Sequence, residues 1–477
     1  MNIVHISAEC YPLAKAGGLG DVVGSLPKYL NKQGDYASVI LPHYYNKWMQ
    51  SAQTRLIYEG QAPLGSSAFG FRISQLIEPK LGFDLFLVDI PGRFDRPGVY
   101  LDPWSGYAYW DEMERFFSFQ IAALEWLIGG DHMADVLHCH DHHTALIPFM
   151  TSQCERYSVL KETPTVLTIH NGEYQGRYNM GDASLLPPFN QDKIGLLDWE
   201  GSLNALAAGI KTAWSVTTVS EGYLDELLDF CHGLEILLRQ EKAKCIGILN
   251  GIDTEIWDPA TDPYLDENYS SDSLSEGKKR NKSLLKEQFQ MGSDRPVFSF
   301  IGRLVREKGA DLIPDLIRES FNQGVDASFI VLGTGDPYLH TVFEGLVNNF
   351  TGYFDSRLEY NEKLAHLIYA GSDFLLMPSR VEPCGLNQLY SMRYGTVPVV
   401  RKTGGLADTV PDIGEKGGYG IVFDEFSLEE LITAVKRGVE LYQNTRKFNQ
   451  IRKKIMGLNF SWEKAARNYQ QLYASLK

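Results

Sequence analysis

Short apolar runs alternate with longer helical patterns along the whole chain, and this alternation limits the fold more than any other feature of the sequence. Each run is continuous rather than interrupted by polar residues, which is typical of a strand buried on both faces of a parallel sheet. The runs fall into two series: NIVHISA (2–8), ASVIL (37–41), FDLFLVDI (83–90), DVLHCH (135–140), TVLTIH (165–170) and SVTTV (215–219), then VFSFIG (297–302), SFIVLG (328–333), DFLLM (373–377), VPVV (397–400) and GIVF (420–423). Two such series predict an α/β protein with two doubly wound, Rossmann-like domains.

The chain length and one loop-rich segment indicate where the domains divide. At 477 residues the chain is longer than one hydrophobic core normally supports. Residues 248–264 are rich in Gly, Asp and Pro and follow the first series of runs. We therefore expect an N-terminal domain over 1–250 and a C-terminal domain over 251–458. The Ser- and charge-rich segment 267–282 is expected to be solvated surface.

The C-terminal segment 459–477 predicts a helix with one apolar face. Ser461 is a candidate N-cap for this helix. Apolar residues then recur at helical spacing, at Trp462, Ala466, Tyr469, Leu472 or Tyr473, and Leu476. We expect this stripe to be a packing face.

The composition excludes several classes of function. A formal net charge of −15 argues against nucleic acid or an anionic membrane as a partner. No apolar run is long enough to span a membrane, and the first residues lack the architecture of a signal peptide. The six cysteines are scattered and read as reduced thiols. These features predict a cytoplasmic enzyme.

A glycine-rich loop, KAGGLGD at Lys15–Asp21, follows the first predicted strand and leads into a helical pattern. Glycine amides at the start of a helix can approach an anion, and Lys15 beside them favours phosphate. The loop is too long for a dinucleotide fingerprint, which turns directly off its strand. A tight turn that packs the helix on the sheet is the alternative interpretation. A similar stretch, KTGGLAD, returns at Lys402–Asp408.

Histidines cluster at the ends of two predicted strands. HCHDHH (138–143) suggests a metal site, but neighbouring residues at a strand end point in opposite directions, so its four histidines cannot converge on one ion. A polar wall for a hydroxyl-rich substrate is the favoured interpretation, and no metal ligand is predicted. TIHNGEYQG places His170 and Asn171 just past a strand, in either a structural or a ligand-binding role.

Two loops of the C-terminal domain carry charged residues that suit a nucleotide sugar. IGRLVREKG contains Arg303 and Lys308, which suit a diphosphate, although a solvated loop is an equal alternative. In SRVEPCGLNQLYSMRYG, Glu382 precedes a turn that opens a helix, and the amides of Cys384, Gly385 and Leu386 are candidates to bind an anion. Many enzymes that use nucleotide sugars hold a divalent ion with two aspartates spaced D-x-D, and no such pair occurs in the chain. We therefore expect a metal-independent enzyme without a cofactor.

A set of motifs carries a resemblance that runs from the first residues to the C-terminus. They are KAGGLGDVVGSLP, HDHHTALIP, TIHNGEYQG, GILNGIDTEIWDP, IGRLVREKG, PSRVEPCGLNQLYSMRYGTVPVVRKTGGLADTV and the terminal FSW. This set strongly resembles bacterial glycogen synthase and plant starch synthase. The resemblance implies the GT-B architecture, two Rossmann-like domains facing across a deep cleft, with the last helix crossing back to the N-terminal domain. It also implies retaining transfer of glucose from ADP-glucose to the non-reducing-end 4-hydroxyl of an α-1,4-glucan such as glycogen.

The resemblance further implies a role for each matching residue. The diphosphate or the glucose would be contacted by Lys15 and the Gly17–Gly18 backbone. The diphosphate would be held by Arg303 and Lys308, and the distal phosphate by the amides of Cys384–Leu386. Glu382 would bind the donor glucose hydroxyls, and His170 would lie beside the anomeric carbon. Asp141 and Asn250 would line the glucose pocket, Asn171 would bind substrate, Glu9 would face the acceptor and Tyr360 would stack on adenine. A monomer or small homo-oligomer is expected.

The sequence departs from the family at a few positions. The family usually has Trp at His142, Leu-Ala at Gly172–Glu173 and Thr at Asn387. The first two are expected to affect acceptor contacts, and the third lies near the donor diphosphate. Tyr390 stands where many related GT-B enzymes carry a ribose-binding Glu, which the resembled family also lacks.

Three alternatives stay open from the sequence: a glucan phosphorylase, a glycosyltransferase with another acceptor, and a glucan-binding protein without activity. The phosphorylase requires pyridoxal phosphate and a far longer chain. Intact Lys15, Arg303, Lys308 and Glu382 argue against an inactive protein.

The two glycine stretches follow strands that are not equivalent in the two domains, so we expect one active site. The second stretch is expected to start a helix and to shape the cleft wall.

Overall fold

The computed structural model describes residues 1–130, 132–292 and 294–477. It consists of two compact units, one formed by Met1–Leu249 with Trp462–Lys477 and the other by Asn250–Ser461. All eleven apolar runs identified in the sequence form strands, and they lie in two mainly parallel sheets. The predicted α/β fold class is therefore confirmed.

The N-terminal unit contains a nine-stranded sheet in the order β12-β11-β7-β6-β1-β2-β5-β4-β3 and a small antiparallel sheet in the order β8-β10-β9. The strands are β1 (Asn2–Ile6), β2 (Tyr36–Pro42), β3 (Gln53–Leu64), β4 (Ser67–Glu78), β5 (Asp84–Asp89), β6 (Val136–His140), β7 (Thr165–Ile169), β8 (Arg177–Tyr178), β9 (Asp198–Trp199), β10 (Ser202–Asn204), β11 (Ser215–Thr218) and β12 (Cys245–Gly247). Strands β1, β6 and β7 are adjacent and parallel, so their carboxyl ends meet at one edge of the sheet.

The hairpin β3–β4 at the edge of this sheet has no counterpart among the predicted strands. Most of its residues are exposed or half-buried, and both of its pairings are antiparallel. A continuous apolar run is typical only of strands that are covered on both faces, and the half-exposed strands of this hairpin contain no such run.

Helices cover the N-terminal sheet. They are α1 (Gly18–Lys32), α2 (Lys47–Ser51), α3 (Glu112–Gly129), α4 (Leu146–Gln153), α5 (Ala205–Thr212), α6 (Glu221–Asp229) and α7 (Glu235–Gln240), with short 3₁₀ helices at Glu155–Leu160, Met180–Leu185, Gln191–Leu196 and Lys242–Lys244. Among the described residues, no helix is both long and apolar enough to cross a membrane.

The C-terminal unit contains one six-stranded parallel sheet in the order β15-β14-β13-β16-β17-β18. Its strands are β13 (Val297–Ile301), β14 (Ser328–Leu332), β15 (Phe354–Arg357), β16 (Phe374–Met377), β17 (Val397–Arg401) and β18 (Ile421–Phe423). Its helices are α8 (Leu274–Gln288), α9 (Ile313–Asn322), α10 (Pro337–Asn349), α11 (Glu362–Gly371), α12 (Asn387–Arg393), α13 (Gly404–Thr409), α14 (Leu428–Gln443) and α15 (Thr445–Met456), with 3₁₀ helices at Arg306–Lys308 and Ala310–Leu312.

The prediction that segment 267–282 is solvated surface is wrong for one face of α8. Lys278 and Asn281 are buried. The Lys278 ammonium donates to the carbonyl of Tyr369 at 3.0 Å, and burial lowers its pKa well below the usual range for lysine. The carbonyl that satisfies Lys278 comes from a distant segment, and such a partner leaves no local pattern in the sequence.

The last helix, α16 (Trp462–Ser475), belongs to the N-terminal unit. Its apolar stripe packs in one buried cluster with residues of β1 and α1, so the stripe is the packing face that its spacing predicted. The Tyr473 hydroxyl also lies 2.7 Å from Nδ1 of His138, on β6. The helix therefore contributes to the environment of the histidine-rich strand.

Candidate active site

The loop after β1 is organised around a buried carboxylate. One oxygen of Glu9, Oε2, accepts hydrogen bonds from the amides of Ala16 and Gly17 at 2.6 and 2.9 Å, and the other accepts from the Tyr100 hydroxyl at 2.7 Å. Burial raises the pKa of Glu9, and these hydrogen bonds oppose the rise. Glu9 thus shapes the glycine-rich loop. Tyr100 carried no signal in the sequence.

Gly18 and Lys15 are two exposed residues of this loop. Helix α1 begins at Gly18, and no side chain caps its first turn at Gly17. Gly18 is exposed, and a Cβ added there would meet nothing within 4 Å. Lys15 is also exposed and pairs with Asp21 at 2.7 Å. The amide of Gly17 is occupied by Glu9, so Gly18 and Lys15 are the members of the loop that remain available to an anion.

His138 and His140 are fully buried, so the interpretation of HCHDHH as a polar wall is wrong for these two residues. Their side chains lie on one face of β6. On the neighbouring strand β1, His5 lies directly opposite His138. Nε2 of His138 lies 2.6 Å from the Thr168 hydroxyl. Among the described residues, the histidines that could hold a metal fall into two groups, His5 with His138 and His140, and His142 with His143 and Glu112. The four histidines of the motif therefore do not converge on one point, as strand geometry predicted.

Asp141, His170 and Asn171 come together where β6 and β7 end. Asp141 adopts a left-handed backbone conformation, φ 56°, and its Oδ1 accepts from the His170 amide at 2.7 Å. Burial raises the pKa of Asp141 to about 7 and lowers that of His170 to about 3. The Asn171 side chain accepts from the amide of Glu173 at 3.0 Å. His170 is therefore an uncharged imidazole at neutral pH.

The departures at His142 and Gly172 both touch the loop 171–176. Nδ1 of His142 lies 3.1 Å from the Tyr174 carbonyl oxygen. A Cβ at Gly172 would come within 2.8 Å of the sulfur of Cys231, so this glycine makes room for that side chain. The loop that follows His170 thus has its own packing in this chain.

In the C-terminal unit, the loops after the neighbouring strands β13 and β16 bring opposite charges together. The Lys308 ammonium lies 2.7 Å from Oε1 of Glu382, and the Ser379 hydroxyl donates to Oε2 at 2.9 Å. Glu382 is buried, whereas Arg303 is exposed and lies 3.3 Å from Glu307. Ser379 belongs to the SRVEPCG motif, and its position three residues before Glu382 was a signal that sequence reasoning did not use.

The turn after Glu382 is held in place by its glycine and by α12. Gly385 has φ 71°, and a Cβ there would lie 2.5 Å from the Gln388 side chain. Cys384 is buried, and burial raises its pKa to about 12, so it remains a thiol. Leu386 directly precedes α12, whose first residue, Asn387, donates to the Ile301 carbonyl at 2.7 Å. The departure at Asn387 therefore ties the turn to the end of β13.

Asn250, at the start of the C-terminal unit, approaches the same turn. It is buried and hydrogen-bonds Cys384. Its Oδ1 has no hydrogen-bond partner among the described residues. A buried amide oxygen without a partner is costly, so Asn250 is suited to accept from a ligand hydroxyl.

The second glycine stretch, Lys402–Asp408, packs against the turn that follows Glu382. Helix α13 begins at Gly404, so the expected helix start is confirmed. The Gly405 amide donates to the Glu382 carbonyl at 3.0 Å, and a Cβ at Gly405 would lie 2.1 Å from the carbonyl oxygen of Cys384. The two stretches are similar in sequence but differ in surroundings. Gly18 of the first has open space beside it, whereas Gly405 of the second packs directly against the backbone of Cys384.

Tyr360 and Tyr390 differ in their surroundings. Tyr360 follows the edge strand β15 and its side chain is 72% exposed. Tyr390 stacks on Trp257 with ring centroids 4.0 Å apart, and the ring of His366 also stacks on Trp257, at 3.9 Å. Tyr390 therefore completes an aromatic stack inside the C-terminal unit.

Comparisons with known proteins agree on one family. Residues 2–240 match the starch synthase catalytic domain, and residues 281–454 match the glycosyl transferases group 1. The chain is 44% identical to a glycogen synthase from Flavobacterium johnsoniae, over 99% of this chain and 98% of that protein. A glycogen synthase from Thermodesulfovibrio yellowstonii is 38% identical, over 100% and 98% of the two chains.

Two solved structures share the architecture. The catalytic domain of starch synthase IV from Arabidopsis thaliana, bound to ADP and acarbose, has a TM-score of 0.87 and 31% identity, over 100% of this chain and 99% of that chain. Sucrose-phosphate synthase from Thermosynechococcus elongatus has a TM-score of 0.61 and 15% identity, over 99% and 98% of the two chains. The second likeness shows the fold alone. Both agree with the GT-B architecture predicted from the sequence.

Proposed function

The chain belongs to the family of bacterial glycogen synthases and plant starch synthases, and we propose that it transfers glucose from ADP-glucose to the non-reducing-end 4-hydroxyl of an α-1,4-glucan. The strongest structural support is the Lys308–Glu382 pair beside the PCG turn, at 2.7 Å. This pair places a cation and a carboxylate together, which suits a substrate that joins a diphosphate to a sugar.

Arg303, Lys308 and Lys15 bind the diphosphate in this proposal. Each now pairs with a carboxylate: Arg303 with Glu307, Lys308 with Glu382 and Lys15 with Asp21. Arg303 and Lys15 are exposed, so they can exchange these partners for phosphate oxygens at little cost. The amides of Cys384–Leu386 bind the distal phosphate.

The sugars are bound by uncharged side chains and by one carboxylate that its neighbours hold in place. Glu382 keeps its carboxylate oriented through Lys308 and Ser379, and it accepts from hydroxyls of the donor glucose. Asn250 offers its unpaired Oδ1 to the same sugar. On the N-terminal unit, Asp141, His170 and Asn171 contact glucose, while Glu9 contributes by holding the loop that carries Lys15.

The reaction proceeds on one face of the glucose and retains the anomeric configuration. The bond from C1 to the diphosphate oxygen breaks, and a bond from C1 to the acceptor 4-oxygen forms on the same face. The acceptor proton passes to the departing diphosphate oxygen, whose charge Arg303 and Lys308 stabilise. Glu382 is held by two partners and binds hydroxyls, so it is not the nucleophile.

The substrates and setting follow from the same family assignment. The starch synthase relative is bound to ADP, which supports an adenine nucleotide here, with Tyr360 stacking on the base. The partners are ADP-glucose and glycogen, without a cofactor or metal ion in the transfer and without nucleic acid or membrane. We place the enzyme in the cytoplasm as a monomer or small homo-oligomer.

Transfer of labelled glucose into glycogen tests the proposal. The purified protein receives ADP-glucose or UDP-glucose, and incorporated label and released nucleotide are measured together. We expect incorporation from ADP-glucose in α-1,4 linkage, sensitive to an α-1,4-specific amylase. A folded protein that incorporates no label from ADP-glucose would contradict the proposal, and incorporation from UDP-glucose alone would contradict the adenine assignment.

A further inference from the structure

Three buried histidines of the N-terminal unit form a chain of hydrogen bonds that ends at His170. Nε2 of His170 lies 3.0 Å from Nδ1 of His140, and Nε2 of His140 lies 3.1 Å from Nδ1 of His5. At the far end, Nε2 of His5 is buried and has no hydrogen-bond partner among the described residues. We call His5, His140 and His170 the histidine relay.

All three rings of the histidine relay are neutral at physiological pH. Burial lowers the pKa of His5 and of His170 to about 3, and it lowers that of His140 well below its usual range. A neutral imidazole has one N–H donor and one acceptor nitrogen. His140 uses both of its nitrogens, so the two hydrogen bonds must run in the same direction along the relay.

The buried end at His5 decides that direction. If the donors pointed towards His5, its proton would sit on Nε2 as a buried N–H without an acceptor. If they point towards His170, Nε2 of His5 is an unprotonated nitrogen, and a buried acceptor without a partner is tolerated better than a buried donor. The second direction is therefore favoured, and it places the proton of every ring on Nδ1.

The outer end of the relay is His170, which the proposed function assigns to glucose together with Asp141 and Asn171. Nε2 of His170 is bonded to His140, so Nδ1 is the ring nitrogen left for a ligand. The backbone of His170 is held by Asp141, whose Oδ1 accepts from its amide at 2.7 Å. Both the position of the ring and the nitrogen it presents are thus set by neighbouring residues.

We propose that His5 and His140 are positioning residues that hold His170 in the Nδ1–H tautomer, so that His170 donates a hydrogen bond to a hydroxyl oxygen of the transferred glucose. The identity of the sugar rests on the proposed function, whereas the tautomer rests on the relay alone. His170 then acts as a neutral donor and not as a base, which agrees with passage of the acceptor proton to the diphosphate.

The tautomer can be read directly by NMR of the full-length protein labelled with ¹⁵N in its 11 histidines. Signals are assigned from the one that disappears in each of His5→Asn, His140→Asn and His170→Asn. We expect a protonated Nδ1 and an unprotonated Nε2 on all three relay residues at neutral pH. A proton on Nε2 of His170 would overturn the proposal.

Two substitutions of similar shape at His5 test the direction of the bonds. An ionised aspartate can only accept from His140, so above the pKa of this carboxyl His5→Asp should reverse the relay, leave Nδ1 of His170 unprotonated and lower kcat by about tenfold, the cost of one hydrogen bond. Asparagine can still donate, so His5→Asn should keep the wild-type tautomer and turnover. Equal tautomers and turnover in the two variants would overturn the positioning role. If His5→Asp does not fold, the wild-type spectrum alone decides.

His138→Asn is the matched control. His138 is as buried as His140, but its nitrogens bond Tyr473 and Thr168 and contribute nothing to the relay. The His170 signals should stay unchanged in this variant, and a changed tautomer would show that packing, not the relay, sets it. Absent glucose transfer with the predicted spectrum would refute the proposed function and leave the relay standing, because the spectrum needs no substrate.

Discussion

The two units present their candidate site residues in opposite electrostatic states. In the N-terminal unit, His140 and His170 are dehydrated and neutral, and the Asp141 pKa rises to about 7. In the C-terminal unit, Lys308 and Glu382 form a direct ion pair and Arg303 is exposed beside Glu307. Neutral donors and acceptors suit sugar hydroxyls, whereas cations suit a diphosphate. In the proposed function, Arg303 and Lys308 bind the diphosphate, whereas the neutral His170 binds glucose.

The largest effect is expected where the C-terminal cations are removed. Lys308→Ala and Arg303→Ala should each lower kcat by roughly 10²–10³-fold, the scale of losing one donor that stabilises a developing charge. Arg306→Ala is the matched control, because Arg306 lies in the same loop and its side chain is 83% exposed. Steady-state assays with ADP-glucose and glycogen measure the effect. Near-normal turnover in both Lys308→Ala and Arg303→Ala would remove the electrostatic account of the C-terminal unit.

The two glycine stretches should differ in their tolerance of a side chain. A Cβ at Gly405 would lie 2.1 Å from the Cys384 carbonyl oxygen, so Gly405→Ala should displace the Glu382 turn and cost about 1–3 kcal/mol in the free energy of unfolding. The equivalent change, Gly18→Ala, meets open space and should leave stability unchanged or slightly higher. Denaturant unfolding of the two variants measures the difference, and equal losses would contradict the distinction between them.

The raised pKa of Asp141 should make stability depend on pH. The folded-state pKa of about 7 exceeds the ordinary 3.8, so the stabilisation from a protonated Asp141 is present below pH 4 and is lost as pH rises towards 7. The free energy of unfolding, relative to Asp141→Asn, should fall by up to about 1 kcal/mol per pH unit across this window. Urea unfolding of both proteins from pH 4 to pH 8 tests this. A difference that is flat with pH would show that Asp141 ionises normally.

The smallest effect is expected at Tyr360. Its ring is largely exposed and is proposed to stack on the base, so Tyr360→Ala should raise the Kd of ADP by several-fold, about 1 kcal/mol. Tyr360→Phe keeps the aromatic face and is the control that should bind like the wild type. Calorimetric titration with ADP measures both, and identical affinities in all three proteins would exclude stacking at this position.

Much of the fold was predictable because buried parallel strands leave continuous apolar runs, such as TVLTI in β7. The exposed hairpin β3–β4 and the buried face of α8 were not, since a half-exposed strand and a lysine satisfied by a distant carbonyl have no such pattern. In the site, the sequence placed Lys308 and Glu382 on two loops of the C-terminal domain, and the structure shows that these loops follow neighbouring strands. The bonds of Glu9 to Tyr100 and of His140 to His5 depend on tertiary contacts that one sequence does not reveal.

Titration of ADP alone into three proteins tests most directly whether Lys308 binds the diphosphate and His170 the sugar. The proteins are the wild type, Lys308→Ala and His170→Asn, and the same samples are assayed for transfer to glycogen. We predict that Lys308→Ala weakens ADP binding strongly, whereas His170→Asn binds ADP like the wild type yet transfers glucose slowly. Equal loss of ADP affinity in the two variants would contradict the assignment of the diphosphate to Lys308 and of the sugar to His170.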